Sequence, residues 1–231
     1  MGARRNLRRW HIWLGWLVGI PMLLWTLSGV VMVLKPIEEV RGEALLRDPR
    51  PRRFDGPVVP PAVGGVPVKS LTLEQRAAGA RWVIVLPDGT TRLADPTTGA
   101  LIPALSAADA ASEVTARYTG PARIRNVTRT NAEHPPLDLR KPVATWRVTM
   151  SDGTHFYVDA GSGAVVARRT RWWRFYDFMW GLHIMDPQTR EDTHNPWIVG
   201  FGIAALVTTL LALVLLPMTL RRSRNGKPLD S

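Results

Sequence analysis

Trp82–Ile102 reads WVIVLPDGTTRLADPTTGALI, and further along Trp146–Val166 reads WRVTMSDGTHFYVDAGSGAVV. The two stretches align without a gap. Trp82, Asp88, Gly89, Thr90, Asp95, Gly99 and Ala100 meet Trp146, Asp152, Gly153, Thr154, Asp159, Gly163 and Ala164. Self-similarity of this kind marks a duplicated structural unit. Asp-Gly between two alternating runs predicts a hairpin closed by a type I′ turn, with positive φ at both central residues. DPTTG and DAGSG predict a second turn ending in glycine and leading to one more short strand. Each copy therefore reads as a three-stranded antiparallel meander.

Working outward, each meander comes after a segment with a helical pattern, Ser70–Ala80 (SLTLEQRAAGA) and Ser106–Tyr118 (SAADAASEVTARY). Both open on a serine suited to an N-cap. The expected domain is α+β, with helix-plus-meander units at 69–105 and 106–169. Ahead of them, 35–68 reads as an exit segment and linker, because Asp48–Val68 is dense in proline and glycine.

The flanks are of another kind. The chain has 231 residues, 45% of them hydrophobic, and a formal charge of +11. Trp10–Leu34 and Pro196–Leu220 contain no Asp, Glu, Lys or Arg. Each exceeds the roughly 20 apolar residues that cross a bilayer, which predicts transmembrane helices at 10–34 and 196–220. The first apolar run is longer than the about 7–15 residues of a cleaved signal's core and no A-x-A-like site comes after it, so it reads as an uncleaved signal anchor. Arg4, Arg5, Arg8 and Arg9 precede it, while Arg221, Arg222, Arg224 and Lys227 stand after the second run. Basic flanks stay in the cytoplasm. The expectation is a two-pass protein of a bacterial inner membrane, with a cytoplasmic basic segment at 1–9, a cytoplasmic tail at 221–231 and the main domain periplasmic. Those eight basic residues are topology signals, and the other 22 of the 30 share a loop with 18 of the 19 acidic ones. No recognised nucleic-acid motif is present, which excludes nucleic acid as the partner. Cysteine is absent, which removes disulfides, iron–sulfur clusters, thiol catalysis and covalent c-type haem.

Between domain and second span lies Arg171–Pro187, RWWRFYDFMWGLHIMDP. Arg171, Arg174, Asp177 and Asp186 keep it from spanning, while its aromatic residues resist leaving the membrane. An amphipathic helix at the outer interface (170–186), then a loop (187–195), satisfies both demands. In EDTHNPW, Asn195 can cap the second span and Pro196 fits its first turn.

A helix leading into W-x-V-x-x-x-D-G-x-x-x-x-x-D-x-x-x-G resembles the PepSY module. RRWHIWLGWLVGIPMLLWTLSGVVMV and WGLHIMD resemble the PepSY-associated transmembrane family. The resemblance covers nearly the whole chain apart from the linker and the tail. It implies a bacterial inner-membrane protein linked to iron acquisition. Some members resemble haem-containing ferric-siderophore reductases whose haem b is held by histidines of the membrane bundle. Others have no settled activity, and the isolated module has been proposed to bind or inhibit peptidases. Larger reductase-like members have more than the two spans seen here.

Only His11, His134, His155, His183 and His194 offer imidazole, and without cysteine they are the leading candidate haem ligands. His11 shares a helix face with Gly15 and Gly19. That face suits either helix–helix packing or a flat macrocycle beside a ligating histidine. His183 reads either as part of an aromatic anchor or as an axial ligand walled by neighbours such as Trp180. His194 is within reach of His183 across one short loop. A helix of about 23 residues, near 35 Å, separates His11 from that outer face, so its partner would come from another protomer or another membrane protein. His134 and His155 read as exposed loop and turn residues. No G-x-S-x-G or H-E-x-x-H is present, and the repeated aspartates suit turns better than catalysis. Two functions fit these residues. One is haem-dependent electron transfer for ferric iron or siderophore reduction, in a homo-oligomer. The other is a non-enzymatic, membrane-anchored module binding a peptide, peptidase or envelope partner by strand addition.

Overall fold

The computed structural model describes residues 2–51 and 53–224, with side chains described for 5–51 and 53–217. Of the expected tail, 225–231, including Lys227, lies outside the described residues. In chain order come helices α1 (Gly2–Val33) and α2 (Ile37–Val40), then strands β1 (Ser70–Arg76), β2 (Gly79–Val85), β3 (Thr91–Ala94) and β4 (Leu101–Ile102). Helix α3 (Ala107–Arg117) precedes strands β5 (Ile124–Thr130), β6 (Thr145–Met150), β7 (His155–Asp159) and β8 (Val165–Arg169). Helices α4 (Arg171–His183) and α5 (Pro196–Arg224) complete the order. The chain divides into two compact units: Lys35–Arg174, and the segments up to Leu34 and from Phe175 onward.

The first unit is α+β. Its strands form two antiparallel sheets, ordered β1-β2-β3-β4 and β5-β6-β7-β8. The duplication is visible in the hydrogen bonds. Leu86 N–H donates to Thr90 O and Gly89 N–H to Leu86 O; Met150 N–H donates to Thr154 O and Gly153 N–H to Met150 O. Positive φ falls only on Gly89 (85°) and Gly153 (82°), not on the aspartates. The turn is thus not the expected type I′. One extra residue enters the loop, giving a type I turn closed by a left-handed glycine. Asp88 and Asp152 instead accept the Thr90 and Thr154 N–H groups at 2.8 Å.

Three expectations are corrected. Ser70–Arg76 is a strand rather than the start of a helix: Leu71 and Leu73 alternate with polar residues, and the segment pairs in full register with β2, from Ser70↔Val85 to Arg76↔Gly79. Ile124–Thr130 adds a strand to the second meander, so both sheets have four strands rather than three. The linker is not free either, since Val59 N–H donates to Pro96 O and Trp82 Nε1–H to Val59 O. The same pair of bonds recurs in the second copy, from Leu105 N–H to Ala160 O and from Trp146 Nε1–H to Leu105 O.

Beyond that shared crossing the two copies diverge. After Leu105 comes α3, opened by a reciprocal capping box between Ser106 and Asp109. Ala110 and Val114 of α3 pack on Val148, Met150, Phe156 and Val158, all essentially inaccessible. After Val59 comes a proline- and glycine-rich strip. Ala62, Val63, Val66 and Val68 of this strip line a small groove with Ile84, Leu86, Arg92 and Leu101, the same face of the first sheet. Glu113 of α3 is buried and accepts Ala77 N–H (2.8 Å) and Arg117 Nη1–H (3.0 Å), tying the first sheet's β1–β2 turn to α3.

The second unit is helical. α1 and α5 are long and apolar enough to cross a membrane. Each buries one narrow stripe: Val18 and Ser28 are buried on α1, while Ile198, Phe201, Ala205, Thr208, Ala212 and Leu215 form the less exposed seam of α5. These α5 residues alternate at three- and four-residue steps, the spacing of a packed helical seam. The expected cap is present, with Asn195 Oδ1 accepting Trp197 N–H and Ile198 N–H, each at 3.1 Å.

Candidate functional site

His183, the last residue of α4, lies against α1. Its ring stacks on Trp25, with centroids 4.6 Å apart and planes inclined by 18°. Its Nδ1 is 3.1 Å from Trp25 O and 3.2 Å from Ser28 Oγ. Ser28 Oγ–H is itself donated to Trp25 O at 2.8 Å. A carbonyl oxygen only accepts, so these bonds assign the proton to Nδ1. With a proton on Nδ1, the uncharged form of the ring would present Nε2 as a lone pair, and no described residue hydrogen-bonds that atom. A backbone carbonyl holding Nδ1–H is the arrangement that orients a metal-ligating imidazole. Gly29 leaves space for the ring, for a Cβ there would lie 3.1 Å from His183 Cε1.

The sequence around His183 is built to hold it still. Asp177, 6% exposed, pairs with Arg190 at 2.7 Å. Gly181 admits the Arg190 side chain, whose Cγ would be 2.7 Å from a Cβ. The Trp180 indole N–H is spent on Arg190 O (3.1 Å), so Trp180 secures the loop after α4. Asp186 gathers the N–H groups of Thr189, Glu191 and Asp192, and the Thr189 hydroxyl, which holds its carboxyl well below the ordinary carboxylate range despite some desolvation. Asn195 Nδ2 donates to Ile184 O at 2.8 Å, joining the end of α4 to the start of α5.

The other candidates are placed apart. His194 is exposed, and its Nδ1 faces Thr193 Oγ1 at 3.2 Å; among the described residues no contact joins it to His183. His11 is partly buried on α1, and its Nδ1 is inaccessible and has no hydrogen-bond partner among the described residues. With Gly15 and Gly19 it lines a shallow groove, and a Cβ on either glycine would meet nothing within 4 Å. A side chain added at either glycine would therefore meet none of the described side chains of this chain's own α5. His183 meets α1 at Trp25 and Ser28, 14–17 residues beyond His11, so about 21–26 Å of helix separates the two levels rather than 35 Å.

One cluster has no counterpart among the sequence expectations. His155 is half-buried, not an exposed turn residue. Its Nδ1 lies 3.1 Å from Asp138 Oδ2, and Tyr157 Oη–H donates to Asp138 Oδ1 at 2.6 Å. Burial pushes the Asp138 pKa up, but these two hydrogen bonds and the His155 charge outweigh it and leave it lowered. Burial and the same carboxylate push the Tyr157 phenol up. The only hint in sequence is that His155 and Tyr157 share one face of β7. His134 is exposed, as expected. Among the described residues no group of three or more His, Cys, Asp or Glu is arranged to hold a metal ion. Comparison of the chain with protein families, curated proteins and solved structures finds no match.

Proposed function

We propose that this chain is a two-pass bacterial inner-membrane protein, with both termini cytoplasmic and the α+β unit periplasmic, whose helical unit holds a non-covalent haem b and serves electron transfer to ferric iron or a ferric siderophore. The observation that carries the reading is the setting of His183: Trp25 O and Ser28 Oγ both lie at Nδ1, so Nε2 is the ring atom that would hold iron. His11 supports it as a second level, because its Nδ1, without a partner among the described residues, sits beside an open glycine-lined groove. When bound, the haem supplies a one-electron ferric/ferrous couple. The chain's residues do the rest. Asp177, Arg190 and Asn195 fix the end of α4, Trp25 restricts the ring to one plane, and Gly29 gives it room. Among the described residues one protomer offers one imidazole at each level, so a second histidine to hold the group would come from a second copy or another membrane protein. The substrate class comes from the PepSY resemblance.

A second reading, a membrane-anchored binding module, is favoured by the first sheet. Its edge strand β1 leaves Leu71 (37%) and Leu73 (42%) exposed on the face that α3 covers in the second sheet. Such an edge suits strand addition by an extended peptide.

Absorption spectra of the full chain, purified in detergent from haem-supplied cells, separate the two. The haem reading predicts a stoichiometric Soret band that shifts on dithionite reduction. His183→Ala abolishes or shifts it, Ser28→Ala perturbs it, and His194→Ala leaves it unchanged. A featureless spectrum from folded wild-type protein overturns the haem reading and leaves the binding module.

A further inference from the structure

Arg168–Arg174 (RRTRWWR) carries four arginines and two tryptophans without a carboxylate. Most carboxylates around it are engaged: Glu39 pairs with Lys35, Glu43 with Arg41, and Asp138 with His155 and Tyr157, while the exposed Asp152 accepts Thr154 N–H and keeps its charge. Glu38 of α2 is exposed. Arg168 and Arg174 are held by neutral acceptors: Arg168 Nη1 donates to Glu43 O (3.2 Å), and Arg174 donates to Arg169 O (3.1 Å) and Gly153 O (2.7 Å). These bonds fix position and leave the charge uncompensated. Arg171 is exposed, and among the described residues neither it nor Arg174 has an ion-pair partner.

The two side chains converge. A Cβ on Gly153 would lie 3.4 Å from Arg171 Cγ and Cδ and 3.6 Å from Arg174 Nη2. The turn beneath them thus has no side chain of its own to separate them. Beside them, Lys35 lies over the Trp172 ring at 5.3 Å and Arg169 over the Trp173 ring at 4.0 Å. Chain connectivity fixes the setting. Lys35 comes just after α1 ends at Val33, and Arg174 continues along α4 toward α5. This basic, aromatic surface stands where the chain leaves one apolar helix and heads for the other.

We propose that Arg171 and Arg174, flanked by Trp172 and Trp173, bind the phosphodiester of an anionic phospholipid on that face of the membrane. The inference rests on the two-span reading and is independent of haem. Two guanidinium groups present paired donors to phosphate oxygens. Tryptophan favours the headgroup level, which selects a lipid over free phosphate. Four arginines and Lys35 outnumber the two exposed carboxylates there without an ion pair, Glu38 and Asp152, which selects an anionic headgroup over a zwitterionic one.

Native mass spectrometry tests this on the full chain, released from micelles carrying equimolar phosphatidylglycerol and phosphatidylcholine. Wild type should retain phosphatidylglycerol over phosphatidylcholine by about thirtyfold, the order expected of two basic side chains at a lipid surface. Arg171→Gln/Arg174→Gln should lose most of that preference, and a control Arg8→Gln/Arg9→Gln should keep it. Because Arg174 also bonds the backbone, Arg171→Gln alone is read as well and should lose a clear part of it. A wild type without preference, or a preference unchanged in both Arg171 variants, overturns the proposal. Alkaline carbonate extraction of the chain from membranes would instead overturn the two-span reading.

Discussion

The two copies of the duplicated unit share their turns and differ in what covers them. Both hairpins close on a left-handed glycine with an aspartate capping the next threonine, and both leading tryptophans donate to the segment crossing the sheet. Above that common frame the second sheet carries α3, while the first carries a proline- and glycine-rich strip. Turn geometry is thus written locally and survived duplication. The cover is a matter of packing, free to diverge once another segment shielded Ile84 and Ala94. The divergence reaches the strands: Phe156, fully buried beneath α3, is matched in the first copy by Arg92, which is exposed.

That substitution gives the largest expected contrast. Phe156→Ala should destabilise the α+β unit by about 3–5 kcal/mol, because the cavity lies in a core with no other way to close. Arg92→Ala should cost no more than about 0.5 kcal/mol, as for a surface change away from special features. Chemical unfolding of the full chain in detergent, monitored by tryptophan fluorescence, measures both. Equal losses would mean that the first sheet has a core as demanding as the second, and the comparison would fail.

The reverse face supplies a smaller contrast. Leu139, Tyr157 and Ala167 form a second small core there, and Asp138 binds His155 and Tyr157. The first copy has Thr91 and Leu93 at the matching positions and, among the described residues, no carboxylate bonded there. Asp138→Asn should cost about 1–2 kcal/mol at neutral pH, the value of charge-assisted bonds in a half-buried site. The folded pKa of Asp138 is lowered, so its contribution is complete above the unfolded value and disappears as pH falls through the folded one. Wild type and variant should therefore converge below about pH 4. A difference that persists unchanged into acid would show that the loss is one of shape, not charge.

Legibility in the sequence divides along the same line, between local turns and remote packing. The places of the glycine turns (though not their type), the Ser106 and Asn195 caps, the aromatic helix α4 and the two apolar helices are set by residues adjacent in sequence, and each is readable there. β1 is not, because Leu, Glu, Gln, Arg and Ala in SLTLEQRAAGA are good helix formers, and pairing along β2 overrides that preference. Nor is the Asp138 cluster, whose carboxylate comes from a proline-flanked loop remote from β7. His183 is readable as a candidate, but its tautomer is not. That depends on Trp25 O and Ser28, more than 150 residues earlier in the chain.

The smallest effect tests what the copies have in common. Trp82 Nε1–H donates to Val59 O at 2.8 Å and Trp146 Nε1–H to Leu105 O at 2.7 Å. Replacing either tryptophan by phenylalanine removes one hydrogen bond, keeps an aromatic ring and leaves one carbonyl without its partner. Each change should cost about 0.5–1.5 kcal/mol. If the crossing segment is the shared part of the fold, the two losses should agree to within about 0.5 kcal/mol, and the double variant should be additive, as for separate sites. A Trp146→Phe loss several times larger would mean that Leu105 is held chiefly to launch α3. The first copy's proline strip would then be a passive remnant, and the likeness between the copies would stop at their turns.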